Sequence, residues 1–422
     1  MSGIDFTEPF ADKKVGIIYG EFTTQGGAEI LNAQMARQLD APIYTRVYRP
    51  DRFGDRMNDI LSEYIVPLDN SKNGVPKEVD VQIGGIGVRP GPPGYRAAGV
   101  LSTDDKLIKD VDTSGIQTDV LIAGDADGAA MAYQSDIPYI MYVHHAGRPL
   151  VGFVWDQFDA KKSIIDKLKF LQARRRAKKD LHKVAKRSDM ILYNSKYTSN
   201  ICNKQWNASG EKQDVCYPAY QDDIYHENVE PWKYIEGKRF FVATQRLDPF
   251  KNVHLIVNAA KLAKEHVVIV GSGTLDDFVR REEQRSKYIH SLGYMKSNRL
   301  ARLYAGATAT IQAALHEDFG IVPLESMAVG TPCITTASGG FLETVGDGYE
   351  ENPDTYQTDR GLLIGTEEYD AKALAGAMQN HDENDYNSNH IMSYARRFNE
   401  ERLGNELNMY LDNVYGITQN DW

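Results

Sequence analysis

Short apolar runs alternate along the chain with stretches whose apolar residues recur every three or four positions, the pattern of strand–helix–strand units and parallel sheets. Val15 to Tyr19 (VGIIY) reads as a buried strand that runs through Gly26-Gly27 into a helix from about Ala28 to Gln38. Val120 to Ala123, Tyr139 to Val143 and Met190 to Tyr193 read as further strands of a first half. The pattern lapses over residues 218–238, which are polar, hold two prolines and show no period; this reads as a linker between domains. A second series follows: strand Phe240 to Thr244, helix Val253 to Lys264, strand Val267 to Val270, a helix through Leu300 to Ala305, and strand Ala309 to Ala313. A helix from Ile321 to Val329 is stopped by Gly330-Thr331-Pro332, and Cys333 to Thr336 forms the next strand. Leu403, Leu407, Tyr410, Leu411 and Val414 stand at helical spacing in a closing helix over 397–415. The fold class expected is α/β: two facing Rossmann-like domains, residues 1–222 and 223–396, with the terminal helix 397–422 packing back on the first. Ligands of such folds bind outside the carboxyl ends of the strands, so the interdomain cleft should carry the chemistry.

Composition narrows the class. At 422 residues, 42% apolar and 25% charged, the chain is an ordinary globular one of two or three domains, not a disordered, collagenous or coiled-coil protein. A net charge of −11 argues against a general nucleic-acid binder. Three cysteines without a CxxC pair exclude the usual zinc and redox motifs and suit a reducing compartment. The first residues are polar and no apolar run nears the ~18 residues of a membrane span, so the expected location is cytoplasmic. Residues 161–187 depart from the acidic balance, with twelve Lys/Arg against two Asp. They read either as a solvated helix face or as a basic surface for anionic lipid, which would place the protein peripherally at the inner face of a membrane.

The most informative stretch is His316-Glu317-Asp318-Phe319-Gly320-Ile321-Val322-Pro323-Leu324-Glu325. A strand runs into a loop at Glu317 and then into a helix, so the amides of Phe319, Gly320 and Ile321 lie at a helix N-terminus, an anion site. Glu325, one turn inside, suits two ribose hydroxyls, and Glu317 suits sugar hydroxyls. Taken alone, two glutamates eight apart also fit a routine helix cap.

With Ser338-Gly339-Gly340 and Glu343 downstream, EDFGIVPLESMAVGTPCITTASGGFLETV resembles the Glu-x7-Glu signature of the family-four retaining glycosyltransferases, in their mannosyltransferase-like branch. The resemblance implies the GT-B architecture, a C-terminal donor lobe and an N-terminal acceptor lobe. It implies that Glu317 meets the donor sugar, Glu325 the donor ribose, and the Phe319–Ile321 amides the diphosphate or sugar. Arg246 and Lys251 in ATQRLDPFKN match the family's basic pair on the pyrophosphate, with Gln245 where glycine is usual. A fixed guanidinium and ammonium stabilise a diphosphate leaving group as it forms, without a metal. Gly271 and Gly273 resemble the family's glycine turn, and Gly26-Gly27-Ala28-Glu29 its N-lobe phosphate or acceptor loop, with a plain tight turn as the alternative for Gly26 and Gly27.

Tyr142-Val143-His144-His145-Ala146-Gly147-Arg148, with Trp155-Asp156 after it, resembles a segment of one branch that carries the cleft histidine and an arginine. The register places that histidine at His144, with His145 as the alternative. Ser195 in YNSKYTS reads as mainly structural, with an acceptor-side contact as the alternative. Asp125-Ala126-Asp127 is a DxD outside the donor lobe, read as a loop turn or acceptor contact rather than a metal site. No cofactor is expected beyond the nucleoside diphosphate sugar that serves as donor. The partners expected are that donor, a glycan or lipid-linked acceptor and an anionic membrane surface at 161–187, with no nucleic acid. The function implied is retaining, metal-independent hexosyl transfer, with mannose from GDP-mannose favoured. The alternatives are a nucleotide-sugar epimerase of the same architecture and an inactive partner-binding subunit.

Overall fold

The computed structural model describes residues 13–23, 25–68, 111–145, 175, 178–206, 212–349 and 353–416. Two seven-stranded sheets organise them. The first comprises β1 (Val15–Phe22), β2 (Ile43–Tyr48), β3 (Ile65–Pro67), β4 (Val120–Ala123), β5 (Tyr139–Val143), β6 (Met190–Tyr193) and β7 (Gln213–Val215), in the order 3-2-1-4-5-6-7 and parallel throughout. The second comprises β8 (Phe240–Thr244), β9 (His266–Val270), β10 (Ile289–Gly293), β11 (Ala309–Gln312), β12 (Cys333–Thr336), β13 (Tyr356–Gln357) and β14 (Gly361–Ile364), in the order 10-9-8-11-12-14-13, with β13 antiparallel at the edge. Both sheets are doubly wound. The strand order reverses between β1 and β4 and between β8 and β11, which opens a ligand crevice at each carboxyl edge.

The helices of the first lobe are α1 (Gly27–Leu39), α2 (Asp55–Tyr64), α3 (Ala126–Ser135) and α4 (Lys196–Trp206). Those of the second are α5 (Val253–Ala263), α6 (Asp276–Arg285), α7 (Ser297–Gly306), α8 (Ile321–Ala328), the single turn α9 (Phe341–Thr344), α10 (Ala371–Asn380) and α11 (Ser388–Ala395). The central strands are apolar on both faces because helices cover both. Phe240 and Val242 enter one core of the second lobe, and Phe241 and Ala243 the other.

The last helix, α12 (Glu400–Tyr415), returns to the first lobe. It buries Leu403, Leu407 and Leu411 in the core that also holds Leu31 and Met35 of α1. Gln34 Nε2 donates to Glu400 Oε1 at 2.9 Å, and Tyr415 Oη to Asp189 Oδ2 at 2.7 Å. Residues 218–238 form neither helix nor strand, yet Tyr220, Ile224 and Tyr225 are buried in the second lobe's core, so the segment is packed rather than loose.

Of the basic stretch, residues 178–187 are helical. Leu181, Val184 and Ala185 are buried against the first sheet, and Lys179, Lys183 and Lys186 face outward. Residues 161–174, Arg148 and Trp155-Asp156 lie outside the described residues. No helix among the described residues is long and apolar enough to cross a membrane.

Candidate active site

Every expected site residue that is described lies after the carboxyl end of a strand or in the first two turns of the helix that follows it. Gly26 and Gly27 come after β1, His144 after β5, Gln245 and Arg246 after β8, Gly271 and Gly273 after β9, and Glu317 after β11. The two carboxyl edges meet. Ser195 Oγ, beyond β6, donates to the Asp318 carbonyl at 2.6 Å, and Thr198 Oγ1 to the same oxygen at 3.3 Å. Glu343 of α9 reaches across to the first turn of α4: its Oε2 accepts from Lys196 N at 2.8 Å and its Oε1 from Tyr197 N at 2.9 Å. Tyr217 Oη donates to Glu343 Oε2 at 3.0 Å. The second lobe thus supplies the N-terminal cap of a first-lobe helix through a carboxylate only 7% exposed. Ser195 therefore joins the lobes at the residue next to Glu317, a more specific place than a structural reading of its sequence gives.

In the second lobe, Lys251 Nζ and Glu317 Oε2 form an ion pair at 2.5 Å. Asn252, in left-handed conformation after Lys251, ties the start of α5 to the Ala313 carbonyl beyond β11 at 3.0 Å, which sets the lysine beside the Glu317 loop. Arg246 is more than half exposed, with Nε 3.7 Å from Asp248 Oδ2 and its guanidinium 5.4 Å from the centre of the Phe250 ring. Its charge reaches the first lobe, where it favours ionisation of Glu29. A cation pair, a carboxylate and the N-terminus of α8 therefore converge on one crevice. Such a set binds and neutralises a diphosphate.

The glycines shape this crevice. Gly271 (φ 137°) lies so close to β8 that a Cβ would come within 1.9 Å of the Gln245 carbonyl oxygen. A Cβ on Gly273 would meet the Leu247 backbone at 2.7 Å. Both therefore hold the Arg246 loop by backbone contact. Gly320 caps α8 at φ 92°, over the Phe341 ring. Phe319 is buried, its ring 5.7 Å from that of Tyr217, so its contribution to an anion is confined to its amide. Ile321 is the first residue of α8. His316 is also left-handed (φ 59°), an uncommon state for a non-glycine that concentrates backbone strain next to Glu317.

Glu325 is half-buried on α8, and burial pushes its carboxyl up to about 8, with a Tyr225 hydrogen bond opposing the shift. It is therefore mostly neutral at pH 7, and hydroxyl groups that donate to it favour its ionised form.

In the first lobe, Gly26 is the N-cap of α1 and would crowd Glu29 Oε2 at 2.8 Å if it carried a Cβ, whereas Gly27 has no atom within 4 Å of such a Cβ. Position 27 therefore has room for a side chain, and its glycine leaves the start of α1 open toward the cleft. Tyr19 Oη donates to Glu29 Oε1 at 3.2 Å, and burial raises the Glu29 carboxyl. His144 lies against Asn32 Nδ2 at 3.4 Å, and its carbonyl accepts from Asn194 Nδ2 at 2.7 Å. Burial pushes its imidazole down to about 3, so it is neutral, while His145 is exposed. This favours His144 as the inward histidine.

Asp125 caps α3, accepting from Gly128 N at 2.6 Å and from Gly20 N at 3.1 Å, and burial moves its carboxyl to about 7. Asp127 sits 3.6 Å from Arg46. These backbone and arginine partners explain the DxD as a turn. Among the described residues the acidic group Asp222, Asp223 and Glu400 comes together elsewhere, where Arg37 and Arg56 pair with Glu400 and Asp223. Glu29 and Glu343 enter the sequence reading only as members of quoted motifs, with no role assigned, and nothing in the sequence marks Tyr19 or Asn32 as site residues.

Residues 226–398, most of the second lobe, match the family described as glycosyl transferases group 1. Two curated relatives are an uncharacterized glycosyltransferase of Methanocaldococcus jannaschii and the alpha-1,3/1,6-mannosyltransferase ALG2 of Saccharomyces cerevisiae. The first is 25% identical over 34% of this chain and 46% of the relative. The second is 26% identical over 37% of this chain and 40% of the relative. The chain spans about half the length of the curated relatives it matches.

Whole-chain likeness is structural. The sucrose-phosphate synthase of Thermosynechococcus elongatus superposes with a TM-score of 0.65 at 15% identity, over 96% of this chain and 99% of that one. Anabaena HepE in complex with UDP-glucose gives 0.60 at 15% identity, over 94% and 100%. The fold is the GT-B architecture, and Arg246, Lys251, Glu317 and Glu325 all lie within the matched span 226–398.

Proposed function

We propose that the chain is a retaining glycosyltransferase that moves a hexose from a nucleoside diphosphate sugar to a glycan or lipid-linked hydroxyl. The observation that carries this reading is the Lys251–Glu317 pair beside the N-terminus of α8, together with Arg246, whose charge reaches Glu29 of the first lobe. In the ligand-free pair each charge satisfies the other. A bound donor takes both: the ammonium goes to the diphosphate and the carboxylate to a hexose hydroxyl. As the anomeric carbon–oxygen bond to phosphate breaks, Arg246 and Lys251 stabilise the charge on the departing diphosphate. The acceptor oxygen bonds to the same carbon, and its proton passes to the leaving phosphate. Neutral His144 suits a hydrogen bond to the sugar and not proton abstraction.

Mannose from GDP-mannose is the first donor to test, since a mannosyltransferase stands among the relatives. UDP-glucose is the second, since HepE binds it. The matched domain and its neighbours are transferases, and nothing in the site favours epimerisation. The test is release of nucleoside diphosphate from each donor with and without oligosaccharide and polyprenyl-linked acceptors, in EDTA. The reading requires acceptor-stimulated release that survives chelation. Release restored only by Mg²⁺ or Mn²⁺ would return Asp125 and Asp127 to consideration.

The outward lysines at 179, 183 and 186 make a basic face on the described helix 178–187, and they support the further reading that this helix docks on anionic lipid.

A further inference from the structure

Gln245 stands where the family resemblance calls for glycine, between strand β8 and Arg246. It is 8% exposed, and neither Nε2 nor Oε1 of its side chain has a hydrogen-bond partner among the described residues. Its backbone is fixed. The amide donates to the Val270 carbonyl at 3.1 Å, extending the β8–β9 ladder by one residue, and Gly271 packs directly over its carbonyl. A buried primary amide left unpaired on both atoms destabilises the fold, so natural proteins keep such groups where something else completes them.

Two observations say what completes this one. Strand alternation gives the direction. Phe240 and Val242 face the core that holds Tyr225 and Tyr304, the two tyrosines that sense the Glu325 charge. Phe241 and Ala243 face the core that holds Val253 and Ile256 of α5. Gln245 has the parity of Phe241 and Ala243. It therefore lies on the side of α5, whose preceding turn carries Lys251 and through it Glu317, and away from the ribose side marked by Glu325. The second observation is chemical. Diphosphate oxygens only accept and would leave Oε1 unpaired, whereas a hydroxyl both donates and accepts and satisfies both amide atoms.

We propose that the Gln245 side chain reads a hydroxyl of the transferred hexose and so helps select which sugar is transferred. This rests on the nucleotide-sugar reading above.

The experiment compares wild type with Gln245→Met, of similar length but apolar, and Gln245→Leu as a second variant should the first fail to fold. Dissociation constants are measured for GDP and UDP alone and for GDP-mannose and UDP-glucose, together with the ligand-free melting temperature. Removing an unpaired amide should leave the ligand-free melting temperature unchanged or higher. Affinity for the bare nucleoside diphosphate should be unchanged, while the nucleotide hexose should bind about tenfold more weakly. Equal affinities for the nucleotide hexose in wild type and variant would overturn the assignment. So would a fall of several degrees in melting temperature with both affinities intact, which would mark the amide as structural. Failure of wild type to bind any of the four ligands would instead remove the donor reading itself, and this proposal with it.

Discussion

Glu325 puts stability and function in opposition. Its carboxyl, ordinarily near 4.5, is moved by burial to about 8, so the folded protein holds a proton that the unfolded chain releases. A raised carboxyl contributes stability that is fully present below the unfolded value and is lost as pH rises toward the folded one. By pH 7 about 3 kcal/mol of that contribution would be lost. The side chain is only half-buried and water relieves part of this, so about 1–3 kcal/mol is the range to test. Gln cannot ionise. Glu325→Gln should therefore match wild type near pH 4.5 and exceed it at pH 7.5 by a few degrees in melting temperature, at about 2–4 °C per kcal/mol for a lobe of this size. Donor affinity should behave oppositely. Ribose hydroxyls donate to the ionised carboxylate, so wild-type affinity should rise with pH toward 8, while the Gln variant binds more weakly with a flat profile. Differential scanning fluorimetry at both pH values, with and without nucleoside diphosphate, reads both effects. A gain of equal size at the two pH values, or none at pH 7.5, would refute the reasoning.

Arg246→Ala and Lys251→Ala should each lower kcat about 10²–10³-fold with circular dichroism unchanged; near-normal turnover in both would end the diphosphate assignment. Glu343→Ala strips two helix N–H groups and the Tyr217 hydroxyl of their acceptor. Denaturant unfolding should show a loss of about 1–2 kcal/mol, and kcat should fall while donor affinity, held by one lobe, stays within about twofold; parallel loss of both would show that the contact does not separate lobe register from donor binding. Replacing Lys179, Lys183 and Lys186 with Gln should weaken co-sedimentation with phosphatidylserine vesicles, and the wild-type signal should fall with salt; vesicle binding equal in the two proteins would leave the helix a solvated face.

The parts of this architecture that could be read from sequence are those where one physical requirement dominates. Val120–Ala123, Tyr139–Val143 and Met190–Tyr193 are covered on both faces, so unbroken apolar runs mark them to the residue. β2 (IYTRVY), β7 (QDV) and β10 (IHSLG) lie toward sheet edges and carry polar residues, so periodicity passes over them. Within the site, Lys251 and Glu317 could be paired only through a motif, since 66 residues separate them. The Glu343 cap joins residues 147 apart on different lobes, and no local pattern encodes such a contact. The unpaired state of Gln245 was likewise invisible: its amide is polar by composition, and only burial without partners makes it informative.

The most direct test of the central claim is calorimetric titration of GDP and UDP into the purified chain and into the Lys251→Ala variant. The account predicts that at least one nucleoside diphosphate binds with a single site per chain, and that loss of the lysine weakens it at least tenfold. Absence of binding by both nucleotides, or binding that Lys251→Ala leaves untouched, would contradict it.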